Sequence, residues 1–201
     1  IFDNDPSIIA GLLSANGKLI LINRNGLLFD SGAVINAAGL VATTSDIGND
    51  DFMAGRMYFS TAGAANAQIT NKGMITADEG GMVAFVAPSV RNSGVITAKL
   101  GRVALGSGDT FTLDLYGDNL ISFPVSAEIA RQMVDADGNP LTSLVDVSGK
   151  IDAGSVQLTA RAARGIIDKV INVDGEIIAS GIKQASGTTQ FTGATPSGGR
   201  Y

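Results

Sequence analysis

A seven-residue motif, Asn71-Lys-Gly73-Met-Ile75-Thr-Ala77, recurs 21 residues later as Asn92-Ser-Gly94-Val-Ile96-Thr-Ala98. A shorter form, Gly-x-Ile-x-Ala, returns at Gly149–Ala153 and Gly175–Ala179, and a looser form precedes them at Gly32–Ala37. In each copy the Ile and the Ala alternate with polar or variable residues, so in a strand both would point to one face. The motif therefore predicts a repeated β-strand. The Gly before each strand predicts a corner that needs either a positive φ or a close approach of two backbones.

A second alternating run follows three of the copies, at Met82–Ala87, Arg102–Leu105 and Ser155–Ala160. Its inward-facing residues are predicted to be Val83 and Phe85, Val103 and Leu105, and Val156 and Leu158. A unit of about 21–27 residues with two or three short strands and no helical period is typical of one coil of a parallel β-helix. We therefore predict an all-β protein with a single right-handed parallel β-helix of about eight coils. One interior ladder would be formed by Ile75, Ile96, Ile151 and Ile177.

The repeat is interrupted between Ala104 and Val147. Residues 109–124 are predicted to add strands to the coils, and Gln132–Thr142, which contains Asp-Gly, to form a β-hairpin that projects from the rod. A helical turn over Ala127–Met133 is an alternative. We assign residues 1–185 to the β-helix and residues 186–201, which are rich in Gly, Ser and Thr, to a tail or the start of a further segment.

The composition excludes several function classes. The 201 residues include no His and no Cys, so the chain cannot build a Ser-His-Asp triad, a Cys-His pair or a His/Cys zinc site. Charged residues make up 16% and the net charge is −5, which leaves no basic stripe for nucleic acid. The apolar runs are too short for membrane insertion. We therefore expect a non-enzymatic chain with no catalytic residue, metal or cofactor.

The stretch Ser14–Ile47, which includes Asn23-Arg24-Asn25-Gly26, resembles the haemagglutination-activity domain of two-partner secretion exoproteins, the family of filamentous haemagglutinin. Asp51–Phe59 and Gln157–Ala163 continue the similarity, which covers most of the chain. The resemblance implies a right-handed parallel β-helix near the start of a large exoprotein, recognised by an outer-membrane pore partner and threaded out unfolded. It also implies that the chain lacks the first strands of that domain, and that its location is the surface of a Gram-negative bacterium.

The resemblance singles out one candidate site. Family members usually carry Asn-Pro-Asn-Gly where this chain has Asn23, Arg24, Asn25 and Gly26. This segment is therefore the candidate for recognition by the transporter. The residues alone indicate a tight turn, because Asn and Gly tolerate positive φ and Asn side chains bond the local backbone.

Two acidic segments could bind a metal. Asp46, Asn49, Asp50 and Asp51 could hold Ca²⁺ or supply paired carboxylates for glycoside cleavage, although a solvated loop explains them as well. Asp135–Asn139 has the alternating oxygen ligands of a Ca²⁺ loop. We prefer a hairpin turn there, because Pro140 falls where such a loop needs Gly and Asp146 falls where it needs Glu.

Two arginines, Arg161 and Arg164, could bind an anionic glycan. Alternatively, each covers the end of a coil or pairs with Asp168 or Glu176.

The function that we expect is a non-enzymatic secretion and adhesion module of a large exported surface exoprotein. Its partners would be the outer-membrane pore and host or bacterial surface glycans or proteins. The alternatives are the stalk of a contact-dependent toxin, a glycan-active β-helix enzyme on the same fold, and a purely structural matrix protein.

Overall fold

A computed structural model describes residues 5–114, 120–122, 129–135, 137–163, 166–167, 169–179, 182–185 and 188–192. These residues form one short helix, α1 (Asn49–Met53), and seventeen strands. The first nine strands are β1 (Ser7–Ile9), β2 (Leu12–Ile22), β3 (Leu27–Phe29), β4 (Val34–Thr43), β5 (Tyr58–Phe59), β6 (Gln68–Asn71), β7 (Met74–Ala87), β8 (Ser89–Asn92) and β9 (Val95–Ser107). The others are β10 (Phe111–Leu113), β11 (Ile121–Ser122), β12 (Ser143–Val147), β13 (Lys150–Thr159), β14 (Lys169–Val173), β15 (Glu176–Ile178), β16 (Ile182–Ala185) and β17 (Thr188–Thr192).

Two parallel sheets wind around one core. The short-strand sheet has the order β1-β3-β6-β8-β12-β14, and the long-strand sheet runs through β2-β4-β7-β9-β13. Each strand pairs in parallel with the strand one turn further along the chain. Register shifts such as the one between Ala15 and Lys18 divide each long strand into two halves. This is the predicted parallel β-helix.

The predicted interior ladder is confirmed. Ile75 pairs with Ile96, Ile96 with Ile151, and Ile151 with Ile177. Leu13 and Ile35 extend the same column toward the first coil. The other six residues that we predicted to face inward also lie in the main core. Each fully buried Ile contributes about 1.5–3 kcal/mol through removal of apolar area from water.

The corner glycines before these strands are explained by close backbone approach. A Cβ built on Gly94 would lie against the Gly73 carbonyl oxygen, and one on Gly149 would lie against that of Gly94. Gly175 stands in the same relation to Gly149. Among the described residues, the glycines with positive φ are four others: Gly26, Gly55, Gly80 and Gly138. The glycine column therefore allows the coils to stack without a side chain between them.

The described coils number six, judged from the short-strand sheet, and not the predicted eight. The shortest spacing, from Ser7 to Leu27, is 20 residues, and Ile69 pairs with Val90 after 21. Leu27 instead pairs with Ile69, and Val90 with Val145, so these two coils contain 42 and 55 residues. The extra residues leave the coil and form excursions on its outside.

The prediction that 109–124 adds strands to the coils is wrong. Within that range β10 and β11 pair antiparallel with each other, and β10 pairs antiparallel with β5, which gives a separate three-stranded sheet. This sheet covers outward-facing apolar residues of the long strands, such as Val41 and Ala84. Phe59 and Phe111 stack over them with ring centroids 4.4 Å apart. Without the extra sheet, these residues of the coil would face water. With it, they form a second hydrophobic core.

The predicted hairpin is confirmed. Val134 and Pro140 form an antiparallel bridge, the Leu141 amide donates to the Met133 carbonyl at 2.9 Å, and Gly138 has a φ of 83° at the tip. Residues 129–133 are not helical, and residues 127 and 128 lie outside the described residues. No helix in the described part of the chain is long and apolar enough to cross a membrane.

The last two strands form an antiparallel pair, and β17 also pairs antiparallel with β13. Strand β17 (Thr188–Thr192) lies within the segment predicted to be a tail, and residues 193–201 lie outside the described residues. The boundary at residue 185 remains a prediction.

Gly94→Ala tests the glycine column. The added methyl group meets the backbone of the preceding coil, so we expect a loss of more than about 2 kcal/mol in the free energy of unfolding. Urea denaturation followed by circular dichroism measures this loss. Gly11→Ala is the matched control, because a Cβ at Gly11 has nothing within 4 Å. Equal losses in the two variants would contradict the role of the column.

Candidate functional site

The segment Asn23–Gly26 forms a tight turn between β2 and β3, where the first described coil passes into the second. The Asn23 side chain is fully buried. Its Nδ2 donates to the Asp5 carbonyl oxygen at 3.0 Å and to Ser7 Oγ at 2.8 Å, and its Oδ1 accepts the Asn25 amide at 2.8 Å. Asn23 therefore uses its whole amide group to hold the turn to the first coil.

Gly26 closes the turn in a conformation that favours glycine. Its φ is 123°, and its amide donates to the Asn23 carbonyl oxygen at 3.1 Å. A Cβ at this position would lie 2.8 Å from the Gln68 carbonyl oxygen of the third coil. The predicted tight turn is present. Asn23 supplies the side-chain hydrogen bonds that hold it, and Gly26 has a φ and a close approach to Gln68 that favour glycine.

Arg24 is the one exposed residue of the four. Its Nη2 donates to the Ala62 carbonyl oxygen at 3.0 Å, while its own carbonyl oxygen accepts the Ala64 amide at 2.7 Å. Between these two contacts, Gly63 lies so close that an added Cβ would be 2.7 Å from the Arg24 carbonyl oxygen. The turn is thus covered on one side by the excursion that joins β4 to β6.

The sequence did not reveal this cover. We call Ala62–Gln68 the strap. Its members Ala62, Gly63 and Ala64 carry no polar side chain, so the only signal was a glycine between alanines.

A second arginine fastens the strap further along. Arg131 Nε donates to the Ala65 carbonyl oxygen at 2.8 Å. Its Nη1 and Nη2 donate to the two carboxylate oxygens of Asp109 at 2.9 and 2.7 Å. The hydrogen bond to Asp109 raises the pKa of Arg131 above its ordinary value. The ion pair lies within the excursion between β9 and β12, and the Nε bond to Ala65 joins this excursion to the one between β4 and β6. Our sequence analysis missed both contacts.

The first acidic segment is a solvent-facing loop and helix. Asn49 and Asp50 begin α1, and Asp51 accepts Arg56 Nε at 2.7 Å. Asp46 Oδ1 accepts the amide of its neighbour Ile47 at 2.9 Å. In the part of the chain that the structure describes, no three acidic, His or Cys side chains converge as metal ligands.

The second acidic segment holds the hairpin tip. Asp135 Oδ1 accepts the amides of Asn139 at 2.8 Å and Asp137 at 2.9 Å, and the Asn139 side chain reaches Oδ2 at 3.2 Å. Hydrogen bonds from the Asn139 backbone and side chain lower the pKa of Asp135. Asp146 accepts Arg91 Nε at 3.0 Å from a position within β12. The Asp135 carboxylate therefore serves as a turn acceptor.

Of the two predicted glycan-binding arginines, Arg161 is exposed, and its carbonyl oxygen accepts the Ile129 amide at 3.0 Å. Arg164 and Asp168 lie outside the described residues. Glu176 pairs with Lys150 Nζ at 3.0 Å.

The stacked coils and the extra-helical sheet define an all-β, parallel β-helical module. The family model of the TPS secretion domain matches residues 1–200. The chain therefore belongs to the secretion domains of two-partner secretion proteins, as the resemblance of Ser14–Ile47 indicated. Such domains belong to proteins that Gram-negative bacteria export through an outer-membrane transporter partner.

The solved structure of the HMW1 secretion domain from Haemophilus influenzae is similar to this chain, with a TM-score of 0.64 and 25% identity over 90% of this chain and 50% of that one. Two curated heme/hemopexin-binding proteins of Haemophilus influenzae are 33% identical over 88% of this chain and 29% identical over 93% of it. The chain spans only 20–21% of the length of these two relatives.

Asn23→Ala tests the buried amide. The substitution leaves Asn25 N–H, Ser7 Oγ and the Asp5 carbonyl without their partner, so we expect a loss of about 1–3 kcal/mol in the free energy of unfolding. Asn16→Ala, at an exposed position in β2, should change it by less than about 0.5 kcal/mol. Urea denaturation of both variants checks this, and a change at Asn23 no larger than at Asn16 would show that the buried amide does not hold the turn.

Proposed function

We propose that the outer-membrane pore partner recognises this chain through the segment Asn23–Gly26. We further propose that the exported exoprotein acts, without enzymatic activity, in adhesion at the cell surface. The observation that supports recognition is the position of the segment: it is a defined turn at the start of the described coils, and its Arg24 is exposed although one guanidinium nitrogen bonds the Ala62 carbonyl oxygen. Membership of the TPS secretion domain family supplies the partner.

The rest of the chain suits export in an unfolded form and folding afterwards. Without Cys, no disulfide can lock the chain in the oxidising periplasm. A β-helix buries its core coil by coil, because each coil contacts mainly its neighbours, so folding can propagate along the chain as it emerges. The repeated Ile and Gly columns provide each new coil with a matching surface.

The adhesion part of the proposal concerns the whole exoprotein, of which this chain is one module. Its targets would be host or bacterial surface glycans or proteins. The two curated relatives are named for binding heme and hemopexin, so capture of a host protein is one form that this activity could take. A host-cell binding assay tests this part. It compares bacteria that export the full-length exoprotein with a strain that lacks it, and we expect more binding by the former.

An export assay tests recognition. The double substitution Arg24→Glu with Asn25→Ala changes the two residues of the segment that are not fully buried, so the coil should still fold. We expect the amount of native exoprotein at the surface and in the medium to fall at least about tenfold, as loss of ~1.4 kcal/mol of binding free energy would produce. Immunoblots of periplasm, surface and medium measure it.

The matched control is Lys99→Glu, which makes the same change in charge at an exposed position on another part of the coil. Export of the control should equal that of the unchanged protein. Normal export of the double variant would show that the pore does not depend on this segment.

A further inference from the structure

The chain contains two asparagines that are followed by glycine, Asn16-Gly17 and Asn25-Gly26. Such a pair can react without an enzyme, because glycine has no side chain to crowd the approach of its amide nitrogen to the asparagine Cγ. A bond from this nitrogen to Cγ closes a succinimide ring, while the Cγ–Nδ2 bond breaks and ammonia leaves with the amide proton. Water then opens the ring to aspartate or isoaspartate. In a folded protein the rate depends on how freely the pair can move.

The pair Asn25-Gly26 is held in place by the turn between β2 and β3. The Gly26 amide, which would be the nucleophile, donates to the Asn23 carbonyl oxygen at 3.1 Å, and the Asn25 amide donates to Asn23 Oδ1 at 2.8 Å. A Cβ at Gly26 would lie 2.8 Å from the Gln68 carbonyl oxygen, so the main chain has little room to rotate. Ring closure therefore requires the turn to open first.

The pair Asn16-Gly17 lies at a corner of the first described coil. The register of β2 with β4 shifts there, between Ala15 and Lys18. Asn16 and Gly17 together stand opposite one residue of β4, Ala38, and such a bulge leaves a residue outside the regular ladder. Both residues are exposed, and a Cβ built on Gly17 has nothing within 4 Å. This corner therefore has the room that ring closure needs.

The two aspartates that precede glycine, Asp137 and Asp174, could form the same ring with loss of water. Their glycine amides are also engaged: Gly138 donates to the Asp135 carbonyl oxygen at 3.1 Å, and Gly175 donates to the Val147 carbonyl oxygen at 2.9 Å. The corner at residues 16–17 is thus the place where exposure, a bulge and open space coincide.

We propose that Asn16 is a spontaneous modification site of the folded domain, which reacts through the Gly17 amide nitrogen to give aspartate and isoaspartate. Each product carries one more negative charge than asparagine, and isoaspartate adds one carbon to the main chain. The added carbon falls in the bulge, so the two paired parts of β2, Leu12–Ala15 and Lys18–Ile22, keep their register with β4. The coil accepts the change, and older copies of the protein differ from new ones by a charge at this corner.

Peptide mapping of the exported, full-length exoprotein tests the site. The folded protein is incubated at mildly alkaline pH, then denatured and digested with trypsin, which separates Asn16 from Asn25 by cutting after Lys18 and Arg24. Mass spectrometry measures deamidation, and labelling by an isoaspartyl methyltransferase measures isoaspartate. We expect Asn16 to react at least about tenfold faster than Asn25, because opening the turn breaks several hydrogen bonds. In urea the two asparagines should react at similar rates.

Gly17→Val is the matched variant, because the open space around Gly17 accepts a side chain and the branched Cβ crowds the attacking nitrogen. Reaction at Asn16 should then be lost, with the same circular dichroism spectrum and no change at Asn25. Equal rates at Asn16 and Asn25 in the folded protein, or an Asn16 that stays intact there, would overturn the site. Incubated and fresh protein should unfold at the same urea concentration, and a lower midpoint after incubation would show that the bulge does not absorb the added carbon.

Discussion

The structure depends on one constraint, the stacking of like residues on like residues in successive coils. Strands in register lie about 4.8 Å apart, so whatever occupies one position meets its counterpart above and below. Ile75, Ile96 and Ile151 satisfy this constraint in the core, and Gly73, Gly94 and Gly149 satisfy it at the corner. Asn71 and Asn92 add a buried hydrogen bond of 2.8 Å between coils. The same register that buries apolar area therefore also fixes the path of the backbone at each turn.

The turn and the excursions follow from this stack. Because β2 and β3 are held in register with β4 and β6, the segment between them has to close sharply, and Asn23 and Gly26 provide that closure. The outward apolar residues of the long strands need a cover, which the sheet of β5, β10 and β11 supplies. The strap is held to the turn by Arg24 at Ala62 and to the excursion between β9 and β12 by Arg131 at Ala65. The excursions are therefore an integral part of the folded module.

The sequence was sufficient wherever a period-two pattern repeats. The Ile ladder, the inward Val and Phe positions, the hairpin at Asp135–Asn139 and the turn at Asn23–Gly26 were predicted because local residue types determine them. The number of coils and the placement of residues 109–124 were not predicted correctly. The lengths of the excursions follow no period, and Phe111 fits a coil strand as well as a strand of the covering sheet. Contact between Arg24 and Ala62 depends on register across 38 residues, and the bidentate Arg131–Asp109 pair spans 22. Neither contact involves a motif.

If coil stacking holds Asn23–Gly26 as a largely buried turn, its amides should be protected from solvent exchange in the folded chain. NMR hydrogen exchange resolved to single residues measures this protection. We expect the amides of Asn25, Gly26 and Ala64, which donate to Asn23 and Arg24, to exchange slowly, with protection approaching that of β7 and β9. Exchange of these three amides at the rate of an unstructured peptide, while β7 and β9 stay protected, would contradict it.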